Sequence, residues 1–208
     1  MNTTTPIQLP LALRMSGSAL KVIAIISMVI DHCAFYFMEQ DTSLYEAMRC
    51  FGRIAFPVFA FLIAEGYAFV SEIPWFLLNG ADGTHNVMFT LALGVLAIGV
   101  FDRLNERKPL CIMMILLVMA YAHWIGADYE WRGILMIVLF YMFRQNRACQ
   151  LLLVFPLMMH YGITGAFLAC IVLLAYDGTR GFAKERIAKY EFYLFYPVHL
   201  YIMFLISK

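Results

Sequence analysis

Apolar residues in this chain come in long runs, separated by short polar clusters. A helix crossing a bilayer needs roughly 20 apolar residues, with about 17 as the usual lower end. Runs over 18–38, 52–70, 87–101, 109–125, 132–143, 149–158, 161–176 and 190–206 predict an all-α, polytopic transmembrane helical bundle of eight or nine spans. Several runs are short, which predicts a thin hydrophobic belt or buried half-helices. No polar stretch is long enough for a separate soluble domain, so residues 1–208 read as one membrane-embedded domain.

Composition sharpens this picture. The 208 residues are 63% hydrophobic and 14% charged, against roughly 45 to 50% apolar and about 25% charged in soluble domains; the mean hydropathy is +0.77. This is an integral membrane protein. The net charge of +1 argues against nucleic acid as a partner, because the basic residues sit in short clusters between apolar runs and not on one face. Five cysteines (Cys33, Cys50, Cys111, Cys149, Cys170) form no CxxC pair and suggest small buried hydrophobes. The first apolar run is too long and too charged for a cleavable signal peptide.

Charge placement gives an orientation and a conflict. Arg103, Arg107 and Lys108, then Arg144 and Arg147, then Arg180, Lys184, Arg186 and Lys189 form three basic loops, which belong in the cytoplasm. The stretch "AHWIGADYEWRG" sets Trp124, Tyr129 and Trp131 beside Asp128 and Glu130, an aromatic belt on the opposite side. Counting back from Arg103 puts the N-terminus outside. Arg14 and Lys21 before the first span, with Glu39, Asp41 and Glu46 after it, put it inside. A further crossing between Gly66 and Asn86 repairs the parity, yet "AFVSEIPWFLLNG" is too short to supply a full one.

The chemistry begins in "LKVIAIISMVIDHCAFYF". A charge at the centre of a span costs roughly 2.5 to 3.5 kcal/mol on insertion scales, so Asp31 and His32 mark a pathway or site. Lys21 and His32 lie eleven residues apart, on nearly one helix face and roughly 16 Å apart along the axis. That suits a long ligand with its anionic head at Lys21 and its reactive end at His32, although Lys21 alone reads equally as a snorkelling helix-end residue. "RCFGRIAFPVFAFLIAEG" adds Arg49 and Arg53, as span anchors or, for Arg53, as an anion holder or partner of Asp31. It also adds Pro57, which frees a carbonyl, and Glu65, a second candidate buried carboxylate. In "KYEFYLFYPVHLYIMFL", Tyr193, Tyr196 and His199 share one helix side, with His199 the deepest. His85, Asn86, His123 and His160 read as surface groups in loops. No metal site is expected.

Together "LKVIAIISMVIDH", "GRIAFPVFAFLIAEG", "SEIPW", "HNVMFTLALG", "GADYEWRGIL" and "KYEFYLFYPVHL" resemble the TraX family of bacterial membrane proteins, named for the conjugative pilin acetylase. More distantly, Lys21-x10-His32 is similar to the basic-x10-His pattern of the wider transmembrane acyltransferase superfamily. The resemblance implies an acetyltransferase of the bacterial inner membrane, N-terminus cytoplasmic. It takes acetyl-CoA as donor and a protein, glycan or lipid headgroup as acceptor. The expected donor site is Lys21, Arg53 and Glu65, and the expected catalytic group is His32, Asp31 and His199. His32 would deprotonate the acceptor or carry the acetyl group itself. One departure stands out: TraX-like chains have a basic stretch and more apolar sequence between "EG" and "SEIP", which "EGYAFVSEIPW" nearly abolishes, at the place where the parity fails. A proton-coupled transporter and a non-enzymatic pilus or envelope assembly factor are the alternatives. No inverted repeat supports the former, and the latter predicts tolerance of His32→Ala.

Overall fold

The computed structural model describes residues 14–66, 87–179, 181, 195, 198–203 and 205–206. The expected "SEIPW" element, the extra crossing between Gly66 and Asn86, Tyr193 and Tyr196 lie outside these residues. Among the described residues, eight α-helices run in order: α1 Gly17–Phe37, α2 Ser43–Gly52, α3 Ala55–Gly66, α4 Val87–Leu104, α5 Lys108–Trp124, α6 Glu130–Met142, α7 Arg147–Met159 and α8 Ile163–Leu174. Helical residues recur over 198–203 and 205–206. No strand is present among the described residues beyond an isolated bridge between Met15 and Tyr176.

The all-helical expectation holds, and each described apolar run is a helix. Crossing length is another matter. Among the described residues, three segments are long and apolar enough to cross a membrane: Gly17–Phe37, Ser43–Gly66 and Val87–Leu104. Lys108–Trp124, Arg147–Met159 and Ile163–Leu174 are shorter apolar helices; a 12-residue helix such as α8 rises only about 18 Å, well under the roughly 30 Å hydrocarbon core. Eight or nine full crossings are therefore not what the described residues contain.

Local chemistry sets the helix ends. Ser16 caps α1 by accepting from the Ala19 amide at 3.3 Å, Thr42 caps α2 from Tyr45 at 3.2 Å, and Asn146 caps α7 from Cys149 at 3.2 Å, each satisfying one otherwise orphaned N–H. Pro109 sits at the start of α5, where its missing N–H costs nothing. Pro57 does the same for α3. It falls in the first turn, and the break it demands is the two-residue step at Arg53–Ile54 between α2 and α3. Ser27 of α1 stabilises that break, its hydroxyl donating to the Phe51 and Gly52 carbonyls at 2.6 and 3.1 Å.

Helices α3 and α6 form the centre. Phe56, Val58, Ala60 and Phe61 pack against Met136, Ile137 and Phe140, all nearly inaccessible, with Phe61 and Phe140 edge to face at 5.4 Å. Helices α1 and α2 pack on one side, α4 and α5 on another, and the α7–α8 hairpin closes the group. Outward residues such as Ile26, Leu96, Leu116, Leu152 and Phe167 are large, apolar and exposed, as a lipid-facing surface requires.

The chain has two chemically distinct ends. At the basic end, Tyr141 at the end of α6 donates to Asp102 near the end of α4 at 3.1 Å. There the Arg147 guanidinium lies over the rings of Phe61 and Tyr176 at 4.6 and 5.0 Å, and the Met15–Tyr176 bridge joins the start of α1 to the end of α8. At the opposite end the α5–α6 and α7–α8 turns meet the α2–α3 break.

Candidate functional site

Residue by residue, α1 carries the site from one end to the other. Lys21 stands half-buried in its second turn at the basic end. Glu65, in the last turn of α3, comes to that same end, within electrostatic reach of Arg147 and Arg144. Arg147 keeps a buried Nη1 without a hydrogen-bond partner among the described residues. A buried guanidinium donor that lacks an acceptor is suited to an anionic oxygen, so this end fits a phosphate-bearing donor.

About 16 Å further along α1, two adjacent residues take different partners. Asp31 pairs with Arg49 of α2, Oδ2 to Nη1 at 2.5 Å, both side chains about a quarter exposed. The expected partner, Arg53, does not hold it. Arg53 follows the last residue of α2 and lies against the α7–α8 turn, its Nη1 3.2 Å from where a side chain on Gly162 would begin. Arg53 is thus at the end opposite Lys21 and Glu65, and the three do not form one donor site. The close α1–α2 approach depends on Gly52, where any Cβ would overlap the Asp31 carboxylate. Asp31 Oδ1 is buried and without a hydrogen-bond partner among the described residues.

His32 reaches His199, Nδ1 to Nε2 at 2.8 Å, with the rings 5.0 Å apart and 22° from parallel. The buried His199 in turn sets its Nδ1 2.9 Å from the Phe195 carbonyl. These contacts fix the tautomers of the neutral rings. A carbonyl only accepts, so His199 carries its proton on Nδ1 and its Nε2 is an acceptor. His32 must then donate from Nδ1, which makes Nε2 its basic nitrogen. Two residues 167 positions apart form a base oriented by a second imidazole, the relay logic used to activate acyl-transfer nucleophiles.

With that geometry in hand, the comparisons with known proteins fall into place. The family described as "TraX protein" matches residues 16–69 and 66–207. The chain belongs to the TraX family. Its two matched stretches meet at 66–69, where the charge parity also fails. Among curated proteins, it is similar to "Probable fimbrial assembly protein FimC, serogroup H1" of Dichelobacter nodosus, 29% identical over 233 aligned positions covering 90% of this chain and 94% of that one. The alignment is longer than the part of this chain it covers, so that relative carries internal residues which this TraX-family chain lacks. No solved structure matches.

For this TraX-family chain, then, the structure brings together Asp31, His32 and His199 with Arg53 nearby, and leaves Lys21 and Glu65 at the other end. Reasoning from the sequence assigned Arg49 only an anchoring role. It lies one turn before Arg53, and only the α2–α3 break selects it as the partner of Asp31. His160, read as a surface group, lines a polar pocket with Asp128, Tyr129, Glu130, Arg132 and Tyr161. In that pocket burial pushes the Tyr161 hydroxyl up to about 12, and Glu130 and Asp128 add to the rise against Arg132. The Tyr129 hydroxyl is pushed up too, first by burial, then by Asp128 and Asp31. Both tyrosines therefore remain neutral donors at physiological pH. The acidic and aromatic character of "GADYEWRG" was the signal for this pocket.

Proposed function

We propose that this protein is a membrane-embedded acetyltransferase of the bacterial inner membrane. Its basic end faces the cytoplasm and acetyl-CoA is its donor. The observation that carries the reading is the His32–His199–Phe195 hydrogen-bonded chain, one half-membrane distant from Lys21 on the same helix. The donor's phosphates meet Lys21 and Arg147 at the basic end, and the pantetheine arm runs along α1 to bring the thioester to His32. An acceptor amine or hydroxyl attacks the thioester carbonyl while His32 Nε2 takes its proton. The carbon–sulfur bond breaks, CoA leaves as thiolate, and the proton passes from His32 to the sulfur. His199 stabilises the imidazolium through its own bond to Phe195, and so acts as a positioning residue.

Calorimetric titration of acetyl-CoA into the detergent-purified chain, beside Lys21→Ala and His32→Ala, tests this. Micromolar binding that weakens in Lys21→Ala and persists in His32→Ala, with acetyl transfer lost only in the latter, is expected. A well-folded chain that binds no acetyl-CoA refutes the donor assignment. The name of the Dichelobacter nodosus relative favours a second reading, a fimbrial assembly factor without catalysis. On that reading His32→Ala supports pilus assembly as well as the parent does.

A further inference from the structure

Asp31 and Arg49 form an ion pair beside His32, yet the pair is only half made. Oδ2 meets Nη1 at 2.5 Å, whereas Oδ1 is buried and has no hydrogen-bond partner among the described residues. Arginine and a carboxylate commonly close two parallel bonds, fork to fork. Packing supplies the reason they do not here: Oδ1 is pressed against Gly52, on the position where a side chain there would begin. A guanidinium carries N–H donors on three nitrogens. Asp31 takes Nη1, and Nη2 and Nε are left to donate elsewhere.

The same contacts say where those donors lie. The guanidinium carbon stands 6.0 Å from the centre of the Phe35 ring. On a helix turning about 100° per residue, Phe35 comes about 40° round from Asp31, and His32 about 100° in the same sense. Asp31 and Phe35 together therefore hold Arg49 on the His32 side of Asp31, within electrostatic reach of the imidazole. The Arg49 side chain is 27% exposed, and a preorganised donor out of bulk water acts far more strongly on a developing charge than one in it. The ion pair is net neutral, so it offers donors without setting a net charge beside the base.

The transfer described above needs such a donor. As the acceptor attacks, the π pair of the thioester carbonyl moves onto its oxygen; as the intermediate collapses, that pair re-forms the double bond and the carbon–sulfur bond breaks. His32 and His199 handle the proton. As neutral rings each spends its one N–H inside its own chain of bonds, on His199 and on the Phe195 carbonyl, so the oxygen must be served from elsewhere. We propose that Arg49 is a further catalytic residue, donating from Nη2 and Nε to the thioester oxygen as it becomes an oxyanion, and that Asp31 is the positioning residue that holds the guanidinium in place. The assignment rests on the acetyltransferase reading.

The probe is S-carboxymethyl-CoA, a thioether whose carboxylate lies one bond beyond the thioester carbonyl and stands in for the oxyanion. Acetyl-CoA presents the neutral carbonyl. Both are titrated by calorimetry into the purified full chain, Arg49→Gln, Arg49→Lys and the double variant Asp31→Asn with Arg49→Gln. The double variant leaves no unpaired carboxylate, and keeps the test open should Arg49→Gln alone fail to fold; melting curves check each sample. An interaction made only in the transition state favours its analogue over the substrate. The parent is therefore expected to bind the thioether about tenfold or more tighter than acetyl-CoA. Arg49→Gln and the double variant are expected to lose that preference. Arg49→Lys, which keeps the charge without the fork, is expected to recover part of it, with acetyl-CoA binding within about twofold throughout. A preference that persists in both glutamine variants, or a parent that shows none while binding acetyl-CoA, overturns the role of Arg49 and leaves the transferase standing. A well-folded parent that binds neither compound removes the donor reading and the role of Arg49 with it.

Discussion

Replacing Gly52 with alanine tests how α1 and α2 are held together. A Cβ at this position would overlap the Asp31 carboxylate, meeting its Cβ and Oδ1 at once. The carboxylate cannot swing away cheaply, because Oδ2 is committed to Arg49. Overpacking of this kind costs about 1 to 3 kcal/mol. Removing a helical glycine recovers roughly 0.5 to 1 kcal/mol, so the net destabilisation is at most about 2.5 kcal/mol, with a mid-range near 1 kcal/mol. For a chain of this size each kcal/mol moves the midpoint by roughly 2 to 4 °C, giving a loss of about 2 to 4 °C at mid-range and at most about 10 °C. Thermal unfolding in detergent, followed by circular dichroism or tryptophan fluorescence, reads this directly. Gly66→Ala is the matched control: nothing lies within 4 Å of its added Cβ, so it is expected to match or exceed the parent. In an Asp31→Gly background, which also removes the Cβ that the added methyl would meet, the cost of Gly52→Ala is expected to vanish, since the two sites are coupled. If Gly52→Ala is as stable as Gly66→Ala, or if its cost survives in the Asp31→Gly background, the close α1–α2 contact is wrong.

His199→Ala is expected to lower acetyl transfer by about 100-fold through loss of ring orientation while sparing acetyl-CoA binding; His199→Gln, which can still accept from His32, is expected to recover part of it, and equal rates in all three would sink the relay. Ser27→Ala removes the hydroxyl that donates to the Phe51 and Gly52 carbonyls, of which Phe51 keeps its bond from the Ile54 amide, and is expected to cost about 1 kcal/mol, read as a lower melting midpoint. Tyr161 ionises near 10 when unfolded and is held up to about 12 when folded. Its contribution to stability is therefore fully present below pH 10 and lost as pH rises through 12. Tyr161→Phe is expected to flatten the fall in melting midpoint across that window, and an unchanged profile would refute the burial argument.

What the sequence determined by itself is what depends on local composition. Runs of apolar residues fix the all-helical membrane class, because backbone groups in lipid must be satisfied within the segment. The expense of a buried charge picks out Asp31, His32, Glu65 and His199 before any contact is known. Pro57 and the capping residues Ser16, Thr42 and Asn146 carry their helix boundaries with them. Partners are another matter, since they are chosen by packing between segments far apart in the chain. Arg49 and Arg53 are one helical turn apart and chemically identical. Only the step at Arg53–Ile54 gives Asp31 to the first and sends the second to Gly162. Likewise, nothing local to His32 or His199 says that one ring accepts from the other. The Phe195 carbonyl and a 2.8 Å approach across the bundle decide which nitrogen is the base.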